Sequence, residues 1–119
     1  MQMEIVNLTP HAVKVITDDK TTSYPASGNV ARLNSVEQKV CPELTAKLGV
    51  PVSTAPEFTE AIGLPADTNT NIIVSMAVAQ YLKQNKSWGG IVFSPDTGPG
   101  QAIRNEEGDI VGVRRLAVW

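Results

Sequence analysis

The sequence predicts a small α+β protein: a mostly antiparallel β-sheet that begins as a meander, one main helix, and a single compact domain over residues 1–119. Two observations predict it. Short apolar stretches separated by turn residues are typical of strands and recur along most of the chain. Residues 76–85 instead carry apolar residues at helical spacing. A chain of 119 residues is long enough for one domain with its own hydrophobic core.

The composition excludes several classes of protein. Apolar residues make up 42% of the chain and charged residues 18%, which is typical of a folded globular protein. A net charge of −2 argues against duplex nucleic acid as a partner. With one cysteine and one histidine, we expect no disulfide, metal centre or cofactor. No apolar run approaches the ~18 residues of a membrane span, and no signal peptide is apparent, so we expect a cytoplasmic protein.

The first third of the chain is predicted to be the meander. A strand over residues 3–7 stops before Pro10, which has no N–H for a sheet hydrogen bond. Alternation over residues 12–17 predicts a second strand, and the turn signal Asp18-Asp19-Lys20 leads into a third at residues 21–24. Residues 29–33 are predicted to be the next strand.

Residues 36–60 are open to two interpretations. Pro42 near the start and Gly49 at the end favour one or two helical turns between them. The alternative is an irregular excursion between strands. Residues 50–54 are predicted to form a strand at a sheet edge because they contain a proline. Phe58 and Ile62 are expected to pack beneath this connection.

The remaining elements have clearer signals. The apolar run of residues 71–75 predicts a buried strand that passes directly into the helix at residues 76–85, with Ser75 as N-cap. Residues 91–93 are predicted to be a strand. A turn at residues 105–108 then precedes one last strand over residues 110–116.

The candidate site is the stretch from residue 93 to residue 115. A loop punctuated by glycine and proline carries Asp96-Thr97-Gly98, and such loops present fixed side chains and backbone N–H groups. Arginines nearby suit phosphate or carboxylate, because the planar guanidinium bonds two oxygens at once. We predict no catalytic residue and no metal ligand. The predicted ligand-binding residues are Arg32, Phe93, Asp96, Thr97, Gly98, Arg104, Arg114 and Arg115.

Each of these residues also has a structural interpretation. Asp96 is expected to hold the loop through an Asx-type bond, since a protease reaction would need a second carboxylate. If residues 110–116 are a strand, Arg114 and Arg115 point to opposite faces, and one can face a pocket. Solvated surface is the alternative for the arginines, and a core position is the alternative for Phe93.

The order of several motifs resembles a family of small phage and prophage proteins. The resemblance spans nearly the whole chain except residues 36–60. Less closely, the chain resembles the phage anti-Thoeris sponges, the first type of Thoeris anti-defence protein. The motifs are Val6-Asn7-Leu8-Thr9-Pro10-His11, the segment Tyr24–Arg32, Ile73-Val74-Ser75 before the helix, Pro95-Asp96-Thr97-Gly98-Pro99, Ala102-Ile103-Arg104 and the closing Gly108–Arg115.

The sponge resemblance implies binding without catalysis. It implies that the protein withholds cyclic ADP-ribose isomers, made by TIR-domain immune sensors, in the host cytoplasm. It also implies dimers or hexamers with nucleotide pockets between subunits and, for some members, separate pockets for cyclic oligonucleotides. Two other functions stay open: a small nucleotide-processing enzyme that uses Asp96 and an arginine, and a phage structural or accessory protein with no small ligand.

Overall fold

The computed structural model describes residues 3–119, so residues 1 and 2 of the predicted domain lie outside the described part. Residues 3–119 form two helices and ten strands, which confirms the α+β class. The helices are α1 (Pro42–Leu48) and α2 (Met76–Asn85). The strands are β1 (Val6–Asn7), β2 (Val13–Ile16), β3 (Thr21–Tyr24), β4 (Arg32–Ser35), β5 (Phe58–Ile62), β6 (Ile72–Ile73), β7 (Val92–Pro95), β8 (Ala102–Arg104), β9 (Ile110–Val113) and β10 (Leu116–Val118).

The hydrophobic core lies between the first sheet and α2. This sheet has the order β1-β6-β7-β10, with β1, β6 and β7 parallel and β10 antiparallel at the edge. Ile72 and Ile73 of β6 are completely buried, as predicted from their apolar run. Helix α2 contributes Val78, Ala79 and Leu82 to the buried set. A helix as short as α2 is only marginally stable in water through its intrinsic propensity. Burial of these apolar side chains therefore supplies most of the stability of α2.

Both ends of α2 have local causes. The Ser75 hydroxyl accepts a hydrogen bond from the N–H of Val78 at 3.3 Å, which confirms the predicted N-cap. At the other end Lys86 adopts a left-handed backbone with φ 49° and closes the last turn. Residues at its own two ends, Ser75 and Lys86, therefore determine where the helix begins and ends.

The second sheet has the order β3-β2-β9-β8. Its β2–β3 hairpin confirms the predicted turn, with Val13 opposite Tyr24. The next strand does not continue the predicted meander. After β3 the chain returns to the first sheet, where the N–H of Ala31 donates to Leu8 O and the Ala31 side chain is buried. This return carries β4 away from β3, and β4 starts only at Arg32.

Asn7 fastens the first bend of the chain. Its side chain is 2% exposed and uses all of its hydrogen-bonding atoms. The Nδ2 group donates to the carbonyls of His11 and Tyr24, at 2.9 and 2.8 Å. The Oδ1 atom accepts from the N–H and the hydroxyl of Thr9, at 2.9 and 2.7 Å. Asn7 thus joins β1, the bend after it and the end of β3.

Residues 32–62 form a long hairpin, called the arm below. At its base β4 pairs antiparallel with β5, from Arg32 opposite Ile62. Backbone hydrogen bonds continue outward between residues 36 and 57, 39 and 54, and 41 and 52. Helix α1 sits at the tip and is capped by Gly49, which has φ 74°. Of the two interpretations left open for this segment, the helical turns are therefore the correct one. The strand predicted at residues 50–54 is reduced to an isolated bridge between Val40 and Ser53.

No residue of the arm is buried. Leu33 and Ala61 at its base are half-buried against the core. The prediction that Phe58 and Ile62 pack beneath a connection is wrong, because both lie on a two-stranded ribbon and are 46% and 40% exposed. The radius of gyration is 17.5 Å, whereas a compact chain of this length has about 13.5 Å. The large apolar side chains that the arm exposes are Val36, Val40, Leu44, Leu48, Val50, Phe58 and Ile62.

Candidate functional site

Residues 110–116 are two strands in two different sheets, which corrects the prediction of one last strand. Strand β9 ends at Val113 in the second sheet, and β10 begins at Leu116 beside β7 of the first. The chain is anchored on both sides of this break. Val113 is buried, and the indole of Trp119 donates to the Ser94 hydroxyl at 2.9 Å. Residues 114 and 115 therefore cross from one sheet to the other.

The loop of residues 96–101 closes against this crossing. The N–H of Asp96 donates to Arg115 O, and the N–H of Arg114 donates to Gln101 O, at 3.1 and 2.9 Å. Within the loop, the N–H of Gly98 donates to Asp96 Oδ1 at 2.9 Å, which confirms the predicted Asx-type bond. A second internal bond runs from the N–H of Gln101 to Gly98 O at 3.0 Å, so hydrogen bonds at both ends and two inside leave the loop little freedom. Its side chains are therefore presented on a fixed frame.

Both arginines of the crossing hold the loop through their Nε atoms. Arg115 Nε donates to Asp96 Oδ2 at 2.7 Å, and Arg114 Nε donates to Gly100 O at 3.2 Å. The opposite-face arrangement expected of a strand is absent, because residues 114 and 115 are not in a strand. The terminal NH₂ groups of both guanidiniums have no acceptor among residues 3–119. These groups are available to an external anion.

The carboxylate of Asp96 is stabilised in its ionised form. The hydrogen bond from Arg115 lowers its pKa most, and the bond from the Gly98 N–H lowers it further. Both carboxylate oxygens are already hydrogen-bonded. Asp96 is consequently a weak proton acceptor, and its role in this arrangement is to fix the guanidinium of Arg115.

The loop also borders a groove of about 230 Å³. Thr97 of the loop lies on one side; Lys14, Ile110 and Val111 are among the residues that line it. Within the described part of the chain, the hydroxyl and N–H of Thr97 and the N–H of Gly100 make no hydrogen bond. Pockets for drug-sized ligands usually have about 300–1,000 Å³. This groove can therefore enclose only part of a nucleotide.

The structure brings together Asp96, Thr97, Gly98, Arg114 and Arg115 of the eight predicted residues.

The other three lie elsewhere. Arg104 donates from Nη1 to Gly108 O at 2.6 Å and so holds its own hairpin. Arg32 is on the arm. Phe93 is half-buried in β7, between Ile73 of β6 and Val118 of β10. Arg104 and Phe93 thus have structural explanations that do not involve the loop, and Arg32 is exposed in β4.

Lys14 was not predicted. Its place in the groove follows from the parallel pairing of β2 with β9, where Val15 is opposite Val113. Residues 13–16 and 110–113 are almost a hundred positions apart in the sequence. The local pattern indicates only that Lys14 faces solvent, and no signal within β2 indicates which strand lies beside it.

From residue 3 to residue 119, no three His, Cys, Asp or Glu side chains are grouped so that they could hold a metal ion. Neither helix in this part of the chain is long and apolar enough to cross a membrane. Comparisons with family models, curated proteins and solved structures find no match to the chain.

Proposed function

We propose that the protein binds a cyclic ADP-ribose-type nucleotide and sequesters it without cleavage, as a phage anti-defence sponge. The observation that carries the proposal is the pair of guanidiniums, Arg114 and Arg115, which are held by Nε against the loop of residues 96–101 and whose NH₂ groups are unpaired among the described residues. A pyrophosphate offers several oxygens to the two guanidiniums. Charge-assisted hydrogen bonds between such groups are about twice as strong as hydrogen bonds between neutral groups.

The loop that holds these guanidiniums and the groove that it borders also suit this ligand. Thr97 and Gly100 add unpaired N–H and hydroxyl donors, and the Lys14 side chain lines the groove. Ile110 and Val111 provide an apolar wall for a base or ribose. Because the arginines are already fixed to the loop, less side-chain entropy is lost when an anion binds.

The state of Asp96 supports binding rather than hydrolysis. A general base near neutral pH requires a raised pKa, whereas the pKa of Asp96 is lowered. A sponge needs no base, since it must only hold the nucleotide more tightly than the host effector does.

The size of the groove supports a site completed by a second subunit. A nanomolar complex requires about −12 kcal/mol of binding free energy. A groove of about 230 Å³ encloses too little of a nucleotide to supply it. The proposal therefore includes a homo-oligomer, a dimer or a hexamer, that acts in the host cytoplasm.

The direct test is recovery of the ligand. The purified protein is incubated with the products of an activated TIR-domain enzyme, filtered and heat-denatured, and the released material is analysed by mass spectrometry. Sequestration predicts an intact cyclic ADP-ribose isomer. A chemically altered nucleotide would instead indicate an enzyme, and failure to retain any nucleotide would contradict the proposal.

A matched set of arginine variants locates the site. Arg114→Ala and Arg115→Ala should each weaken nucleotide affinity by about 10- to 100-fold, because each removes a charged hydrogen-bond donor. Arg104→Ala makes the same change in charge at a side chain that holds its own hairpin, and it should leave the affinity unchanged. Equal losses for all three variants, measured by calorimetry, would show a general charge effect and remove the two arginines from the site.

A further inference from the structure

The arm exposes large apolar side chains, whereas a hairpin surrounded by water is expected to expose mainly polar ones. Val40 is 71% exposed, Leu48 65%, Val50 54% and Leu44 48%. Helix α1 has seven residues and no buried side chain. Helices this short are not stable alone in water, and an isolated two-stranded hairpin is marginal. The base of the ribbon packs against the core through Leu33 and Ala61, but the tip and the outer part of the ribbon lack the packing that normally stabilises such elements.

The size and apolar content of the arm match the need of a stable protein interface. The seven large apolar side chains of the arm are each 40% to 71% exposed, whereas monomeric proteins rarely expose large contiguous apolar patches. A standard interface draws on roughly 20–30 residues of each partner, and a little over half of its area is apolar. The arm, which spans residues 32–62, is of that size and offers apolar surface of the kind that such an interface buries.

The charges of the arm favour an identical partner. Residues 32–62 carry three basic side chains and four acidic ones, interspersed along both strands and the helix. This surface has no single-sign field that would attract a nucleic acid or an anionic membrane. Two copies can approach each other without net repulsion between strong like charges, as a two-fold symmetric interface requires. The charged residues are Arg32, Lys39, Lys47, Glu37, Glu43, Glu57 and Glu60.

We infer that the arm is the surface through which two copies of this chain associate, with Val40, Leu44 and Leu48 near the centre of the contact. The inference deepens the proposed oligomer by naming the surface that forms it. It does not depend on the ligand, because association is measured in the absence of nucleotide. Failure of the nucleotide test therefore leaves this inference standing. A wild-type protein that stays monomeric would remove the oligomer from the proposed function but would leave nucleotide binding to be decided by its own test.

Sedimentation velocity of the full chain over a wide concentration range tests the inference. Val40→Lys and Leu48→Lys should each raise the dimer dissociation constant by about 100-fold, because each dimer loses two buried apolar side chains and gains two buried charges. The matched control is Val118→Lys, at a β10 position that is 68% exposed and outside the arm. It should leave the dissociation constant unchanged.

Several outcomes would overturn the inference: a wild-type protein that stays monomeric throughout, a dimer that both arm variants leave intact, or an equal loss with Val118→Lys. Hydrogen exchange on the unmodified protein gives an independent reading. Amides of residues 36–57 should exchange more slowly at high than at low protein concentration. Equal exchange at both concentrations would contradict contact through the arm.

Discussion

Asn7 offers the sharpest test of the fold. Its buried amide makes four hydrogen bonds that join three segments of the chain. Asn7→Ala removes all four and leaves the carbonyls of His11 and Tyr24 without these donors. Hydrogen bonds contribute about 1 kcal/mol each on balance, and part of the loss is recovered by water at the exposed partners. We expect the free energy of unfolding to fall by about 3 kcal/mol.

Asn7→Asp sharpens the test because it hardly changes the volume of the side chain. The substitution keeps acceptors for Thr9 but loses both donors, so an ionised carboxylate faces the two carbonyl oxygens of His11 and Tyr24. A buried charge that faces acceptors is costly. At neutral pH this near-isosteric change should therefore destabilise the protein at least as much as Asn7→Ala.

Urea unfolding at one fixed protein concentration measures both effects. Asn85→Ala is the matched control, since Asn85 bonds only its own helix at an exposed position, Tyr81 O at 2.8 Å. The control should change stability by less than about 0.5 kcal/mol. If Asn7→Asp were tolerated as well as Asn85→Ala, the assignment of donors at Asn7 would be refuted.

Three further predictions concern single contacts. Trp119→Phe should lower the free energy of unfolding by about 1–2 kcal/mol in urea titrations, because the buried Ser94 hydroxyl loses its indole partner; an unchanged midpoint would contradict this anchor. Ser75→Ala should cost about 1 kcal/mol through loss of the α2 cap, and circular dichroism during thermal unfolding should report it as a lower Tm. The Asp96 carboxyl should titrate below the ordinary aspartate range in an NMR pH series and return toward it in Arg115→Ala. The stabilisation from this pair is present at neutral pH and is lost as pH falls through the folded-state pKa, so a titration that Arg115→Ala leaves unmoved would argue against the pair.

Elements with local signals could be predicted from the sequence. Ser75 and the helical spacing after it define α2, and an uninterrupted apolar run defines β6. Pro42 and Gly49 correctly bound α1. The Asx bond of Asp96 was also predictable, because it joins residues two positions apart. In each case the residues that determine the helix, strand or loop lie within it or directly beside it in the sequence.

Elements that depend on distant partners could not be predicted. The pairings of β2 with β9 and of β4 with β5 join segments far apart in the chain. The sequence pattern places Arg114 and Arg115 within one strand over residues 110–116. Their crossing between sheets becomes clear only because Val113 is buried in one sheet and Trp119 is anchored in the other.

The arm misleads sequence analysis for a different reason. Phe58 and Ile62 are apolar, so their pattern indicates a core, yet within one copy of the chain they are exposed. An apolar side chain is typical of a buried position, but the sequence pattern does not identify which residues, if any, cover it.

The way the arm joins the body has a consequence for variation between related chains. Its two strands leave and return side by side, between Ala31, whose N–H bonds Leu8 O, and Gly63, whose backbone lies against Val30. An antiparallel hairpin can gain or lose residues in opposed pairs without moving its base. Length and apolar content of residues 32–62 can therefore change through insertion and deletion while the loop at residues 96–101 keeps its geometry. The proposed assembly surface and the proposed ligand site can in this way change independently of each other.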